Sequence, residues 1–206
     1  MTAQMLVMPG SPALVAPLAP RDEAARRLCA LARRTARKYE ELPVHLVGSR
    51  DPRWFTAHTG SFRAWGAPQV RVGGGNYLPE LVMRYVLEAA EVVEARDRLG
   101  HPREGVLTVV ALDGSAGLTP RAPLSLLDGA SWADQWCRDL LAGRHRPGER
   151  TGEEMGEEAD AGRLRAAGVI EPALWCELAA LTPRHACLVD ADATAGVGRY
   201  VAEWLL

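Results

Sequence analysis

The feature that most constrains the fold is an apolar, largely β-branched run near the middle of the chain, GVLTVVALDG at residues 105–114. A continuous run of this kind predicts a strand that is buried on both faces of a sheet, as in parallel α/β proteins. The run ends abruptly at Asp113, Gly114 and Ser115. This corner could hold a nucleophile, a ligand-binding turn or only the end of a strand.

Apolar strand patterns alternate with helical patterns along the rest of the chain. Further strands are predicted at residues 4–9, 44–49, 69–72 and 186–190. Helices are predicted from Asp22, over 78–93, from a cap at Ser131, and over 161–167 and 171–181. The alternation predicts an α/β fold with a central, mainly parallel sheet flanked by helices. We expect one domain over residues 1–206, with a flexible acidic loop at about 144–162.

The net charge of -2 gives no electrostatic reason to expect nucleic acid or an acidic membrane surface as a partner. The apolar N-terminal stretch lacks a basic start and is interrupted by prolines, so it favours a first strand over a signal peptide. No run approaches the roughly 20 apolar residues of a spanning helix. The four cysteines are widely spaced, which is typical of reduced, buried thiols. These features together predict a cytoplasmic protein.

The glycine-rich segments do not form known nucleotide motifs. The GGGN sequence at 73–76 precedes a helix, but it lacks the spacing and the acidic partner of a dinucleotide fingerprint. Lys38 is the only lysine, so the chain has no phosphate-binding loop of the G-x-x-x-x-G-K type. We therefore expect GGGN to be mainly a flexible connection.

Polar residues follow the predicted strands, at the edge of the sheet where α/β proteins bind ligands. The predicted ligand-binding residues are Ser11, Ser49, Arg50, Arg121 and Asp190. The predicted catalytic residues are Ser115, Asp113 and His58. Arginine can bind a carboxylate through two parallel hydrogen bonds, so these residues predict a site for a small anionic or amphoteric molecule. Trp54, Phe55 and Trp65 would form its apolar wall.

Two enzymatic alternatives remain open at this stage. Ser115 has Gly117 two places on, as in a nucleophile elbow, but Asp113 stands where the elbow needs its first glycine. A serine hydrolase is therefore disfavoured. The five histidines are scattered and show no metal-binding spacing, although His58 lies in an aromatic segment and is the histidine we expect nearest a pocket.

The order of the motifs resembles the catalytic subunit of class III extradiol ring-cleaving dioxygenases, in particular a short actinobacterial, subunit-B-like branch. The matching segments are MPGSPALVAPLA, GSFRAWG, LPELVMRYVLEAA, VVALDGSAGLTPRAP, WADQWCRDLLAG, AAGVIEPALWCELAAL and DADATAGVGRYVAEW. The resemblance covers most of the chain. It implies an α/β fold and, commonly, a homo-oligomer.

The resemblance also implies that the usual chemistry is missing. Active relatives bind Fe(II) through two histidines and a glutamate. Gly10 occupies the place of the first histidine and Ser49 or Arg50 that of the second, while Glu171 could match the glutamate. Ala116 stands where relatives carry the histidine that transfers protons, and an alanine cannot do so.

The resulting interpretation is a diverged protein of the extradiol dioxygenase fold that uses the ancestral pocket for a small polar or aromatic metabolite. We expect no cofactor and no Fe(II)-dependent ring cleavage, since Fe(II) would bind only at a non-standard site with Glu171 as one ligand. Metal-independent catalysis is favoured over the alternatives. Those alternatives are a non-catalytic binding or assembly protein, and an Fe(II) dioxygenase with a rearranged metal site.

Overall fold

The structure is a computed structural model that describes residues 2–88, 90–144 and 157–206. Eight strands are present in this part of the chain: β1 Gln4–Met8, β2 Val44–Val47, β3 Ser61–Phe62, β4 Ala67–Arg71, β5 Val92–Arg96, β6 Leu107–Ala111, β7 His185–Asp192 and β8 Arg199–Leu205. The helices are α1 Glu23–Arg37, α2 Leu78–Leu87, α3 Ala130–Leu141, α4 Glu157–Ala166 and α5 Pro172–Ala179.

Six of the strands form the main sheet, in the order β5-β2-β6-β1-β8-β7. The four strands β5, β2, β6 and β1 are parallel to one another, whereas β8 is antiparallel to both β1 and β7. The expectation of an α/β fold with a mainly parallel central sheet is therefore confirmed, with antiparallel pairing at one side. The carboxyl ends of β1, β2 and β6 lie together at one edge.

The sheet is buried on both faces because its central strands place alternate side chains into two cores. Leu6 and Met8 of β1 pack on one face with residues of α1 and α2. Met5 and Val7 pack on the other face with residues of α3, α4 and α5. All five residues of β6 are buried, as the continuous apolar run predicts.

The predicted end of the second helix was wrong, because apolar periodicity does not mark where an element ends. The helix α2 ends at Leu87, and Val92 and Val93, predicted to be helical, lie in the edge strand β5. The strand predicted at 69–72 corresponds to β4, which pairs with β3 in a separate two-stranded sheet. That small sheet lies outside the parallel series.

The segment around α3 and α4 also differs from the prediction. Gly129, with a φ of 80°, is the cap of α3, and Ser131 lies inside the helix. The helix α4 begins at Glu157, so the last residues of the predicted acidic loop at 144–162 are helical. The part of that loop at 145–156 lies outside the described residues.

A buried arginine joins the antiparallel strands to the first helix. Arg199, at the start of β8, is 2% exposed and pairs through Nη1 with Asp22 Oδ2 at 2.6 Å. Its Nη2 pairs with Asp192 Oδ2, at the end of β7, also at 2.6 Å. Asp22 in addition accepts the Ala25 N–H at 2.8 Å and so caps α1.

Within the described ranges, none of the helices has the length and apolar character needed to cross a membrane.

We predict that Arg199→Met will destabilise the protein strongly, because it leaves Asp22 and Asp192 without their shared cation. Removing one partner from a buried ion pair typically costs about 3–5 kcal/mol. Urea denaturation at neutral pH measures this cost. Arg27→Met is the matched control: it removes the exposed pair of Arg27 with Asp190 and should leave the unfolding midpoint nearly unchanged. Equal midpoints for the two variants would contradict the prediction.

Candidate functional site

A cavity of about 230 Å³ lies at the carboxyl edge of β1, β2 and β6. The start of α2 and the residues just before α5 complete its wall. The lining residues are Gly10, Ser11, Pro12, Ser49, Trp54, Leu78, Pro79, Ala111, Asp113, Gly114, Ala116, Pro123, Ile170, Glu171 and Val197. We call this cavity the edge pocket. Its wall is mainly apolar, and Asp113 and Glu171 are the ionisable side chains among these described residues.

The turn after β1 is built around Ser11 and Gly10. Ser11 caps a single helical turn, Pro12–Leu14, by accepting the Ala13 N–H at 3.2 Å. A Cβ placed on Gly10 would meet Asp113 Oδ2 at 3.4 Å, Ala111 Cβ at 3.6 Å and Pro79 Cβ at 3.8 Å. These are ordinary contact distances to three lining residues. A side chain at position 10 would therefore extend into the edge pocket without a clash at Cβ.

The turn after β2 brings the strand close to α2. A Cβ on Gly48 would lie 2.9 Å from Pro79 Cβ and 3.3 Å from Met83 Cε, so only glycine permits this approach. Ser49 follows, is 6% exposed and lines the pocket. Its Oγ accepts the Asp51 N–H at 3.3 Å.

The Asp113 backbone is held from two sides. Asp113 forms an isolated bridge with Arg199 at the start of β8, and the next N–H, that of Gly114, donates to the Gly198 carbonyl at 2.7 Å. From α5, the Trp175 indole Nε1 donates to the Asp113 carbonyl at 2.9 Å. The carboxyl group therefore projects into the pocket from a fixed backbone.

The Asp113 carboxyl is the most unusual group in the edge pocket. The residue is partly accessible through the pocket, but its Oδ1 is buried and has no hydrogen-bond partner. Burial raises the pKa of Asp113 to about 7, against the opposing effects of the Arg199 charge and of the Gly10 N–H, which donates to the carboxyl. Asp113 can therefore exchange a proton near neutral pH.

Glu171 lies directly before α5 and lines the edge pocket. Its Oε1 accepts a hydrogen bond from the Trp54 indole Nε1 at 3.1 Å. Trp54 closes a helical turn, Pro52–Trp54, that is capped by Asp51. The pair thus places an aromatic wall and a second carboxylate in the same pocket.

Four of the predicted site residues line the edge pocket: Ser11, Ser49, Asp113 and Glu171. The wall also contains Trp54 from the predicted aromatic segment. Phe55 is exposed and packs edge-on against Tyr77, and Trp65 contacts Phe62. Of the three aromatic residues predicted for the apolar wall, Trp54 is therefore the one that lines the edge pocket.

Ser115 lies outside the lining, fully buried behind the pocket wall. Its Oγ donates to the Ala167 carbonyl at 2.6 Å and accepts the Gly117 N–H at 3.1 Å. The first hydrogen bond ties the turn after β6 to the residue that follows α4, and the second lies within the turn itself. The structure does not bring Ser115 to a surface where it could attack a ligand in this conformation.

The predicted basic residues are also outside the lining. Arg50 donates to the Ala95 carbonyl at 2.8 Å, pairs with Glu80 at 3.7 Å and stacks on Tyr77. Arg121 is exposed and lines a shallow depression with Thr194. The sequence predicted that arginines bind an anionic ligand, but no arginine lines the edge pocket among the described residues.

The remaining two predicted residues are separate from the edge pocket as well. His58 is exposed in the loop before β3. Asp190, in β7, pairs through Oδ2 with Nε of Arg27, in α1, at 2.6 Å. Asp190 therefore has a structural partner, as does its neighbour Asp192.

Several residues of the site were not found from sequence. Leu78, Pro79, Ile170 and Val197 supply apolar wall, and Arg199 lies behind Asp113. Pro79 at the start of a helix was visible in the sequence, but only as a sign of helix initiation. Nothing in a single sequence pairs that helix start with the corner after β6.

A second depression of about 230 Å³ lies between α1 and α2, near Arg33 and Glu88. Two of its charged residues bind each other: Arg33 pairs with Glu88 at 3.3 Å, and Arg33 also donates to the Val86 carbonyl at 3.3 Å. We take the edge pocket as the candidate site because it combines a mainly apolar wall with the unbonded carboxyl oxygen of Asp113.

Among the described residues, no three His, Cys, Asp or Glu side chains are grouped as a metal site would require. Asp113 and Glu171 are the two carboxylates of the edge pocket, and no described imidazole lines it. The donor set therefore does not fit an Fe(II) centre with two histidines and one carboxylate.

A comparison with models of known protein families found no match, and a comparison with curated proteins found none.

We predict that Asp113 makes the protein less stable as the pH rises from about 4 to about 7. The unfolded chain releases this proton near the ordinary aspartate pKa of about 3.9, whereas the folded protein keeps it up to about 7. Each unit of pKa difference corresponds to about 1.4 kcal/mol of unfolding free energy. Asp113→Asn should remove this fall in stability. The free energy of unfolding of the variant should therefore increase relative to that of the wild type as the pH rises.

Urea denaturation of both proteins across this pH range measures the effect. Asp128→Asn, at an exposed aspartate on the following loop, is the control and should keep the wild-type pH dependence. If Asp113→Asn also followed the wild-type curve, the assignment of a raised pKa to Asp113 would be wrong.

Proposed function

We propose that this chain is a diverged protein of the extradiol dioxygenase fold that binds a small polar or aromatic molecule in the edge pocket. In this proposal the protein does not carry out the usual Fe(II)-dependent ring cleavage. The observation that carries it is the Asp113 carboxyl, which meets a mainly apolar cavity with one oxygen unbonded. An apolar pocket with a few converging polar groups and a perturbed pKa is the usual form of a ligand site.

The positions assigned by the dioxygenase resemblance support the proposal. Gly10, Ser49, Ala116 and Glu171 stand where active relatives have two histidine ligands, a proton-transferring histidine and a glutamate ligand. All four line the edge pocket, although they come from four separate segments of the chain. Arg50, the alternative to Ser49, is held by Glu80 and Tyr77 outside it.

The size of the edge pocket indicates the size of its ligand. A cavity of roughly 150 Å³ is enough to hold benzene. A cavity of about 230 Å³ therefore has room for one aromatic ring and a short polar substituent. Trp54 and Leu78 would contact the ring, while Asp113 and Glu171 would bind the substituent.

Catalysis without a metal is the favoured form of this function, because Asp113 can act as a proton donor or acceptor. General acid–base catalysis works best when the pKa of the group is near the working pH. The Asp113 pKa of about 7 meets this condition. Ala116 lies in the same pocket and has no proton to exchange, so Asp113 takes the place of the missing histidine in this proposal.

Binding to the edge pocket is tested by blocking it. In ligand-observed NMR with phenol, benzyl alcohol, benzylamine and benzoate, we expect at least one compound to bind the wild type. Gly10→Leu should abolish that binding, because Cβ fits at position 10 and the longer side chain fills the cavity. Gly73→Leu is the matched control, since Gly73 is exposed and a Cβ there meets no atom within 4 Å.

Two results would refute the proposed pocket. One is that no compound of this size binds the wild type. The other is that binding survives Gly10→Leu in a variant that unfolds at the wild-type denaturant concentration.

The resemblance itself is tested by restoring the missing ligands. We predict that Gly10→His with Ser49→His creates, together with Glu171, a site for two imidazoles and a carboxylate that binds Co(II). Visible absorption of bound Co(II) reports on it, and Glu171→Gln in the same background should weaken it. The matched control is Gly10→His with Arg50→His, because Arg50 faces Glu80 outside the pocket. Equal Co(II) binding by both pairs would contradict the assignment of these positions.

A further inference from the structure

The charge of the edge pocket narrows the class of ligand. Its ionisable side chains among the described residues are two acids, Asp113 and Glu171, with no lysine, arginine or histidine in the lining. The nearest cation to Asp113 in the neighbouring strand is Arg199, which is bound by Asp22 and Asp192. Near Glu171, the guanidinium of Arg53 is paired with Asp51 at 2.9 Å. The described lining of the pocket is therefore acidic and contains no cation to receive an anionic ligand.

The two carboxyl groups of the pocket are hydrogen-bond acceptors, and one of their oxygens has no donor. A ligand that supplies a donor would therefore complete the hydrogen bonding of the pocket. Glu171 Oε1 receives the Trp54 indole N–H, and the Asp113 carboxyl receives only the Gly10 N–H. Oδ1 of Asp113 accepts nothing. The terminal torsion of an aspartate is soft, so the carboxyl can turn its unbonded oxygen towards a donor in the cavity.

An organic ammonium group meets both requirements. It carries one positive charge and three N–H donors, and it is compact enough to lie between a carboxylate and an aromatic face. Trp54 provides such a face in the same pocket. A hydrated divalent metal ion fits less well, because it needs about six oxygen ligands and the pocket wall is mainly apolar.

We propose that the ligand of the edge pocket is a small aromatic primary amine in its ammonium form, bound through Asp113 and Glu171. This inference rests on the proposed function and names the substrate class of the same site. It replaces the anionic or amphoteric ligand expected from the arginines.

The binding step releases one proton when Asp113 starts out neutral. The neutral carboxylic acid and the ammonium cation combine to give a carboxylate–ammonium pair, and the carboxyl proton passes to the solvent. No bond to carbon or nitrogen changes. Because the pKa of Asp113 is about 7, affinity should fall as the pH drops below this value. The ammonium itself stays protonated throughout this range.

The test is isothermal titration calorimetry with three probes of nearly equal size: benzylamine, benzyl alcohol and benzoate. At about pH 8, we expect benzylamine to bind the wild type at least about tenfold more tightly than benzyl alcohol, and benzoate not to bind. Below about pH 7, the benzylamine dissociation constant should rise by about tenfold per pH unit, with proton release. The benzyl alcohol constant should change little.

Asp113→Asn keeps the shape of the side chain and removes its charge. This variant should lose most of the preference for benzylamine over benzyl alcohol, keeping only the part that Glu171 supplies, and its benzylamine dissociation constant should no longer rise below about pH 7. Gly10→Leu should lose both probes, and Gly73→Leu should keep both. Glu171→Gln should weaken benzylamine binding and leave benzyl alcohol binding nearly unchanged.

The outcomes separate this inference from the proposed function. If benzyl alcohol or benzoate bound as tightly as benzylamine and was lost in Gly10→Leu, the ammonium inference would be overturned and the pocket would stand. Mn²⁺ binding that depends on Asp113 and excludes benzylamine would overturn it in the same way. Failure of every probe to bind the wild type would overturn both proposals.

Discussion

The buried side chain of Arg199 is the interaction on which the carboxyl edge of the sheet depends. It is held between Asp22, the cap of α1, and Asp192, the last residue of β7. Through one guanidinium group, the first helix and both antiparallel strands are fixed to each other. A buried cation of this kind is tolerated only with anionic partners in good geometry, so the three side chains require one another.

The properties of Asp113 follow from this arrangement. Arg199 lies across an isolated bridge from Asp113, and its charge lowers the pKa of that carboxyl. Its hydrogen bonds, however, go to Asp22 and Asp192. Asp113 therefore receives only part of the electrostatic compensation that its burial requires. Desolvation remains the larger effect, and the carboxyl keeps a pKa of about 7 in a pocket that is otherwise mainly apolar.

Much of the fold could be predicted from the sequence because its strongest signals are local. The continuous apolar run at β6 indicated a strand buried on both sides. Parallel pairing then implied that the carboxyl ends of β1, β2 and β6 lie at one edge of the sheet. The end of α2 could not be predicted in this way. Val92 and Val93 continue the helical apolar spacing, yet they pair as strand residues with β2 at the sheet edge. Tertiary pairing decided between two patterns that the residues satisfy equally well.

The site was predicted less completely, since the sequence places residues at an edge but does not say which way they face. Ser49 and Arg50 are adjacent after β2, and only Ser49 lines the pocket, because Arg50 is bound by Glu80, Ala95 and Tyr77. The partners of an arginine lie far away in sequence and cannot be inferred from its neighbours.

Ser11, Ser49 and Glu171 line the edge pocket and have hydrogen-bond partners from the protein, whereas Asp113 lines it with one oxygen unbonded. Arg50, Asp190 and Ser115 all have partners within the protein, and none of them lines the edge pocket. An unpaired buried carboxyl costs free energy in the folded state, and a protein keeps such a cost where a ligand can supply the missing partner. If the cost at Asp113 is kept for this reason, a ligand should lower the pKa of Asp113 and stabilise the fold more at high pH than at low pH, which is the behaviour of a cation and not of an anion.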